Sequence, residues 1–307
     1  MKTFSETIKL PYKTAFVVNP AAGGGLAGRV WPVLSAWLDY SGQPYLAYFT
    51  RYQGEGITLA SHAVSDGAEL VVAVGGDGTL REVVNGIDIG KTIFGIIPLG
   101  TGNGFRRSCG IPGQWEQALM GLSRWSPRKI DLGIVNNSFF LNVVGIGFDA
   151  AVAEIASEKY GNIKGYLAYI AAFLEELKEF DHFSVTIEGA DLSFREEKTL
   201  LAVVANGRNY GGRFSIAPQA SIDDGSLDLL LVRKGNSPET TILAVRALAG
   251  RHLGDSAVVT TSGNKFNINT DHDVPVHIDG EVIGSLPVQI SVMPAALQIL
   301  APPSEDL

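Results

Sequence analysis

The run Val71 to Ile87, "VVAVGGDGTLREVVNGI", decides the fold. Four apolar residues read as a buried strand, and "GGDGT" then interrupts it with residues suited to positive φ angles and close backbone approach. A helix restarts at once, near Leu80. Glycines 75, 76 and 78 let backbone N–H groups turn toward phosphate oxygens, and the positive end of the helix adds to that attraction. Thr79 and Glu82 are spaced as a capping box that would set the helix start. Asp77 is the odd member, because a carboxylate repels phosphate unless it holds a metal or takes a proton. Its presence points to magnesium or to catalysis; the alternative is an ordinary Gly-rich βα turn.

Outward from this stretch, the first part of the chain alternates strand-like and helix-like runs: "TAFVVNP" then "RVWPVLSAWLDY", "PYLAYFT" then "GITLASHAV", and "TIFGIIPLG" before another helix. Such alternation implies βαβ units, a parallel doubly wound sheet, and ligands beyond the carboxyl ends of its strands. After "RKIDLGIVNNSFFLNVVGIGFDA" the texture changes to short β-rich runs such as "FSVTIEG", "LLAVVANG", "SLDLLLV" and "LPVQISV", which predict a β-sandwich. One helix interrupts them, with Ile163, Tyr166, Leu167, Ile170, Phe173, Leu174 and Leu177 at helical spacing as a core-facing stripe or the wall of an apolar cleft. The expected organisation is an α/β domain over 1–131, a β-sandwich over 132–294, and a terminal segment over 295–307.

Composition narrows the function. The 307 residues are 46% hydrophobic, enough for a sizeable core. The 24 Lys and Arg against 32 Asp and Glu leave a net charge of −8, which argues against broad attraction to nucleic acid. Cys109 is the single cysteine, so neither an internal disulfide nor a Cys-rich zinc site is available. No apolar run has the length of a signal peptide core or a membrane span, so a cytoplasmic protein is expected, peripheral to any membrane it meets.

Two further strand ends carry similar chemistry: "VVNPAAGGGLAG", with Asn19 and Gly23 to Gly25, and "IIPLGTGNGFRR", with Gly100, Thr101, Gly102 and Asn103. Three such loops on one sheet edge would make one site. Gly23, Gly25 and Gly28 match G-x-G-x-x-G, but the next strand ends "AYFTRY" without the acid that holds a ribose. "NGIDIGKT" resembles a P-loop, yet Asn85 replaces its first glycine and the segment leads into a strand. The five histidines, His277 among them, show no metal-binding spacing and are given ordinary roles.

In the β-rich part, Asp223-Asp224-Gly225 of "ASIDDGSLDLLLV" reads either as a turn holding a hard cation or as a plain acidic turn. Asp279-Gly280 of "VHIDGEVIG" is a hairpin signal, and Glu281 beside it adds a carboxylate suited to removing a proton from a hydroxyl.

Taken in order, "VVNPAAGGG", "VVAVGGDGTLREVVNGI", "IIPLGTGNGFRRSCGIP", "GIGFDA", "APQASIDDGSLDLLLV" and "VHIDGE" resemble the diacylglycerol kinase catalytic-domain family, which includes bacterial lipid kinases and the sphingosine and ceramide kinases. The resemblance spans about Thr14 to Pro294. It implies a nucleotide-binding α/β domain followed by a β-sandwich, a terminal segment over 295–307 that returns to the first domain, ATP and magnesium as cofactors, and a lipid hydroxyl as acceptor. By motif, Gly75 to Glu82 (Gly75, Gly76, Asp77, Gly78, Thr79 and Glu82), with Gly100, Thr101 and Asn103, would serve the ATP phosphates, Asn19 and Thr50 lying nearby. Asp77, Asp279 and Glu281 match catalytic carboxylates, and Asp149 matches a position near the lipid head group. Ser221, Asp224 and Ser226 match a magnesium site built from two carbonyls and the Asp224 carboxylate. One departure stands out: Gly104 occupies the place of the Asp in the "GTxND" of many bacterial members.

The expected function is therefore transfer of the γ-phosphoryl group of magnesium-ATP to a lipid hydroxyl of diacylglycerol, phosphatidylglycerol or sphingosine type, at a membrane surface; a homodimer through exposed sandwich edges is among the assemblies the sequence allows. The alternatives are an NAD kinase-like nucleotide kinase and a nucleotide-binding regulator without catalysis. Arg106, Arg107, Arg124, Arg128 and Lys129 are the candidates for a local basic patch facing the membrane.

Overall fold

The computed structural model describes residues 7–160, 166–189, 192–209 and 215–303. The chain packs as two units, Met1–Ile130 with Ala295–Leu307, and Asp131–Pro294.

The first unit runs β1 (Thr14–Val18), α1 (Ala22–Tyr40), β2 (Tyr45–Phe49), α2 (Glu55–Ser65), β3 (Leu70–Gly75), α3 (Asp77–Val84), β4 (Ile93–Pro98), α4 (Gly104–Ser108) and α5 (Trp115–Leu122). The strands pair in parallel in the order β4-β3-β1-β2. Every residue of β1, β3 and β4 is buried, which is why these strands read as unbroken apolar runs rather than as alternating ones. The edge strand β2 is half-buried, and Tyr45 meets Phe16 edge-on with ring centroids 5.8 Å apart. Parallel pairing sends all four strands the same way, so the residues after each of them share one edge.

The second unit holds most of β5 (Pro127–Val135), then β6 (Ser138–Phe140), β7 (Val143–Gly147), α6 (Phe148–Glu158), α7 (Tyr166–Glu179), β8 (Phe183–Gly189), β9 (Ser193–Ala205), β10 (Leu227–Arg233), α8 (Ser237–Leu248), β11 (Val258–Gly263), β12 (Lys265–Asn269), β13 (Pro275–Ile278), β14 (Glu281–Ser285) and the start of β15 (Val288–Leu300). The antiparallel path is β14-β13-β7-β9-β8-β12-β15, and β10 lies between β9 and β11. Alternate residues of these strands build a sandwich core: Val144 and Ile146, Val185 and Ile187, Leu229 and Leu231, Phe266 and Ile268, Val276 and Ile278. The opposite face of β10 is also covered, Leu230 and Val232 packing with Phe148, Val152 and Ala172 of α6 and α7. Burial on both faces explains "LDLLLV", where strict alternation fails.

Helix α7 forms where the spacing predicts it. Phe173 and Leu177 pack on the core, but Leu174 is 52% exposed, so the apolar stripe is narrower than its sequence suggests. Ile163 lies outside the described residues. Near its end β15 pairs in parallel with β4, Gln298 opposite Ile93 and Ile299 opposite Phe94, within the first unit.

Candidate active site

Four strand ends of the first unit carry the nominated residues: Asn19 after β1, Thr50 after β2, Gly76 to Thr79 after β3 and Gly100 to Asn103 after β4. Three of the loops are pressed together backbone to backbone. A Cβ on Gly100 would lie 2.2 Å from Gly76 Cα, and one on Gly23 would lie 2.3 Å from the Leu99 carbonyl oxygen. The Asn19 amide donates to Thr79 Oγ1 at 3.1 Å, tying the first loop to α3. Asn103, at φ 50°, closes its own loop, its side chain accepting from Gly100 N at 2.9 Å and donating to Gly100 O at 2.7 Å. Gly78 and Thr101 are exposed on this edge, and nothing lies within 4 Å of a Cβ built on Gly78. The arrangement presents main-chain N–H groups and the N-terminus of an eight-residue helix.

Two local readings need correction. Helix α3 starts at Asp77, not near Leu80, so Thr79 lies inside it and caps nothing. Glu82 does not close a capping box either: its two oxygens accept from Gly54 N at 2.8 Å and Gly56 N at 2.9 Å, where α2 begins with its own donors unsatisfied. The Glu82 carboxylate is thus occupied at the start of α2.

The Asp77 carboxylate has main-chain partners. Its oxygens accept from Gly104 N at 2.9 Å and Phe105 N at 3.0 Å, joining the β3 loop to the start of α4. Gly104 is buried, and its N–H is one of the two donors. Two N–H dipoles hold the carboxylate in one orientation and offset its charge.

In the second unit β13 and β14 form a hairpin across Asp279 and Gly280, at φ 51° and 94°, as the Asp-Gly pair predicts. The Asp279 carboxylate reaches far along the chain, accepting from Leu141, Asn142 and Val143 N, each at 2.9 Å. It therefore anchors the turn that carries Glu281, which is half-buried at the head of β14. Between these groups lies His277, fully buried: Gly280 N donates to its Nδ1 at 3.2 Å, and its Nε2 faces Asp149 Oδ2 at 3.0 Å.

The turn around Asp224 lies in the same unit. Asp224 accepts from Ser226 N at 2.9 Å, Ser221 Oγ donates to Asp223 at 2.7 Å, and the buried Asp131 accepts from Gly225 N at 2.6 Å. Burial pushes the Asp228 carboxyl up, and the neighbouring Asp224 pushes it further. One carboxylate with the Ser221 and Ser226 carbonyls is an all-oxygen donor set that fits a hard cation, and a cation there would relieve the repulsion between the two acids. Among the described residues there is no group of three or more His, Cys, Asp or Glu side chains arranged to hold a metal.

Residues 13–135 match the family model described as the diacylglycerol kinase catalytic domain, and residues 142–301 match the YegS C-terminal NAD kinase beta sandwich-like domain. A diacylglycerol kinase of Staphylococcus epidermidis is 30% identical over 292 residues, covering 94% of this chain and 92% of the relative. The chain belongs to the diacylglycerol kinase family. Another diacylglycerol kinase, from Bacillus subtilis, is 29% identical over 282 residues, covering 90% and 91% of the two chains. The crystal structure of a diacylglycerol kinase from Bacillus anthracis matches with a TM-score of 0.72 at 26% identity, over 96% of this chain and 99% of that one. As a member of this family the protein is a lipid kinase, a phosphotransferase.

Within this diacylglycerol kinase fold the proposed basic patch is partly dismantled. Arg106 donates to Ile111 O at 2.9 Å and Arg128 to Cys109 O at 3.4 Å, so both turn toward main chain. Burial, with Arg107 beside it, holds the Arg106 guanidinium below its usual range, while Asp77 opposes the shift. Among the described residues no helix is long and apolar enough to cross a membrane.

Sequence reasoning missed His277, Asp131 and the pair Arg51–Glu55, in which a buried carboxylate takes the Arg51 N–H and guanidinium at 2.6 Å each. A histidine two residues before an acidic turn was the available signal for the first. The other two offered none, since single acids beside turns are common.

Proposed function

We propose that this lipid kinase transfers the γ-phosphoryl group of magnesium-ATP to a hydroxyl of a diacylglycerol-type lipid, acting as a peripheral enzyme at a membrane surface. The observation that carries the reading is the meeting of three glycine-rich loops at the carboxyl edge of one parallel sheet, where a Cβ on Gly100 would strike Gly76. Main-chain N–H groups of the β3 and β4 loops, the exposed Gly78 and Thr101, and the positive end of α3 would hold the polyphosphate. Asn19 and Thr50 flank it, and Asp77, fixed by two amides, would orient the β4 loop and the nucleotide's metal. Magnesium bound with ATP would screen the phosphate charge.

On the acceptor side the carboxylates divide the work. Three lone pairs of Asp279 face main-chain amides, so the proton is assigned to Glu281 and the geometry of the turn to Asp279. As the lipid oxygen bonds to the γ-phosphorus and the bond to the β,γ-bridging oxygen breaks, Glu281 takes the hydroxyl proton and ADP departs with the electron pair. Asp149 would contact the head group. Ser221, Asp224 and Ser226 would hold a second, structural magnesium ion.

The test is transfer of labelled γ-phosphate to diacylglycerol, monoacylglycerol, phosphatidylglycerol, sphingosine and ceramide in mixed micelles, with NAD as the soluble control. A lipid product that falls by roughly 100-fold or more in Glu281→Gln, with unchanged folding, supports the reading. Label on NAD alone would replace it with a nucleotide kinase, and ATP binding without transfer to any acceptor would replace it with a regulator.

A further inference from the structure

His277 has no place in the chemistry above, yet it is fully buried, with the Asp149 carboxylate on one side of its ring and Gly280 N on the other. Its strand neighbours Val276 and Ile278 pack into the sandwich core, which sends the imidazole to the opposite face of β13. There it lies over Gly145 of β7, its partner in register. The bare glycine is required: a Cβ at 145 would come within 2.1 Å of Asp149 Oδ2 and 2.2 Å of His277 Nε2. Because Gly280 N–H donates to Nδ1, the neutral ring carries its proton on Nε2, aimed at Asp149 Oδ2. One side chain thus grips Asp149, in the first turn of α6, and the turn between Asp279 and Glu281.

The other Asp149 oxygen is the informative one. Oδ1 is buried and has no hydrogen-bond partner among the described residues, although Oδ2 is satisfied. A carboxylate fixed by one oxygen and left with a buried, unpaired second one is prepared for a donor that arrives with a ligand. We infer that His277 is a positioning residue of this kinase, which holds Asp149 so that Oδ1 accepts a hydroxyl of the acceptor's head group. The inference rests on the lipid kinase reading and extends it to how the acceptor is selected.

The test compares wild type with His277→Leu, His277→Gln and His277→Asn in the mixed-micelle assay, varying lipid and ATP separately. Gln can place an N–H near the position of Nε2 and restore the grip on Asp149. Asn can reach only the Gly280 side. Loss of positioning should raise the lipid KM by roughly tenfold or more in the Leu and Asn variants, with Gln recovering most of it and the ATP KM within about twofold throughout. Asp149→Asn should show the same lipid defect, and adding His277→Leu to it should bring no further loss, since the two act as one unit. An unchanged lipid KM in all three variants, rescue by Asn and not Gln, or additive losses with Asp149→Asn would overturn the assignment. If His277→Leu fails to fold, the Gln and Asn variants still decide it. A wild-type protein that labels no lipid overturns the lipid kinase reading itself, and this inference with it.

Discussion

Replacing Asp279 by Ala removes an acceptor from three main-chain donors at once. Leu141 N loses Oδ2, and Asn142 and Val143 lose Oδ1, all at 2.9 Å. A buried donor left unpaired costs about 1–3 kcal/mol, and half-burial of this turn lets water reach part of it, so the three together cost about 3–5 kcal/mol. Ala at φ 51°, where Asp is tolerated far better, adds about 1 kcal/mol. At about 2–4 °C per kcal/mol for a unit of this size, the melting temperature should fall by about 10–20 °C. Asp279→Asn keeps the shape, the tolerance of a left-handed backbone and one accepting oxygen, and should lose about a third as much. Scanning calorimetry of both variants beside wild type, without ligands, reads this directly. A shift below about 3 °C in the Ala variant would show that the carboxylate does not hold the 141–143 segment, and would return Asp279 to a purely chemical role.

Other consequences are open to simpler measurements. Gly100→Ala, whose Cβ would meet Gly76 Cα at 2.2 Å, should destabilise the first unit and abolish nucleotide binding, whereas Gly78→Ala, with open space around it, should fold normally and weaken ATP binding alone; paired melting and ATP titrations separate the two. Asp228→Asn should raise the melting temperature at neutral pH in the absence of divalent cations, because burial and Asp224 disfavour its charge, and added magnesium should narrow the gap. Burial also holds the His252 imidazole below its ordinary value of 6.5. The unfolded chain therefore binds the proton first as pH falls, so stability should be flat above about 6.5 and decline below it; in chemical denaturation across pH 5 to 8, His252→Gln should flatten that slope.

Local spacing was enough for much of this architecture. Apolar runs that end in Gly-Gly-Asp-Gly-Thr or Gly-Thr-Gly-Asn become strands feeding tight loops, but the expected positive φ angles do not occur at Gly75, Gly76, Gly78, Gly100 or Gly102; Gly76 and Gly100 are needed because their backbones approach too closely for a Cβ. The Asp-Gly pair announces the β13–β14 hairpin. Residue types also point to phosphate chemistry and to the family that shares these motifs.

What the tertiary structure alone decided is where each carboxylate is directed. Asp77 reaches the amides that open α4, Glu82 those that open α2, and Asp279 the amides of a segment 138 residues earlier. His277 and Asp149 meet across 128 residues because β13 pairs with β7 over a glycine. A sequence records neighbours at two, three and four residues, which is the range of turns and helices. Which strand lies beside which depends on how the whole apolar core packs, and the partner of a buried acid is known only once that order exists.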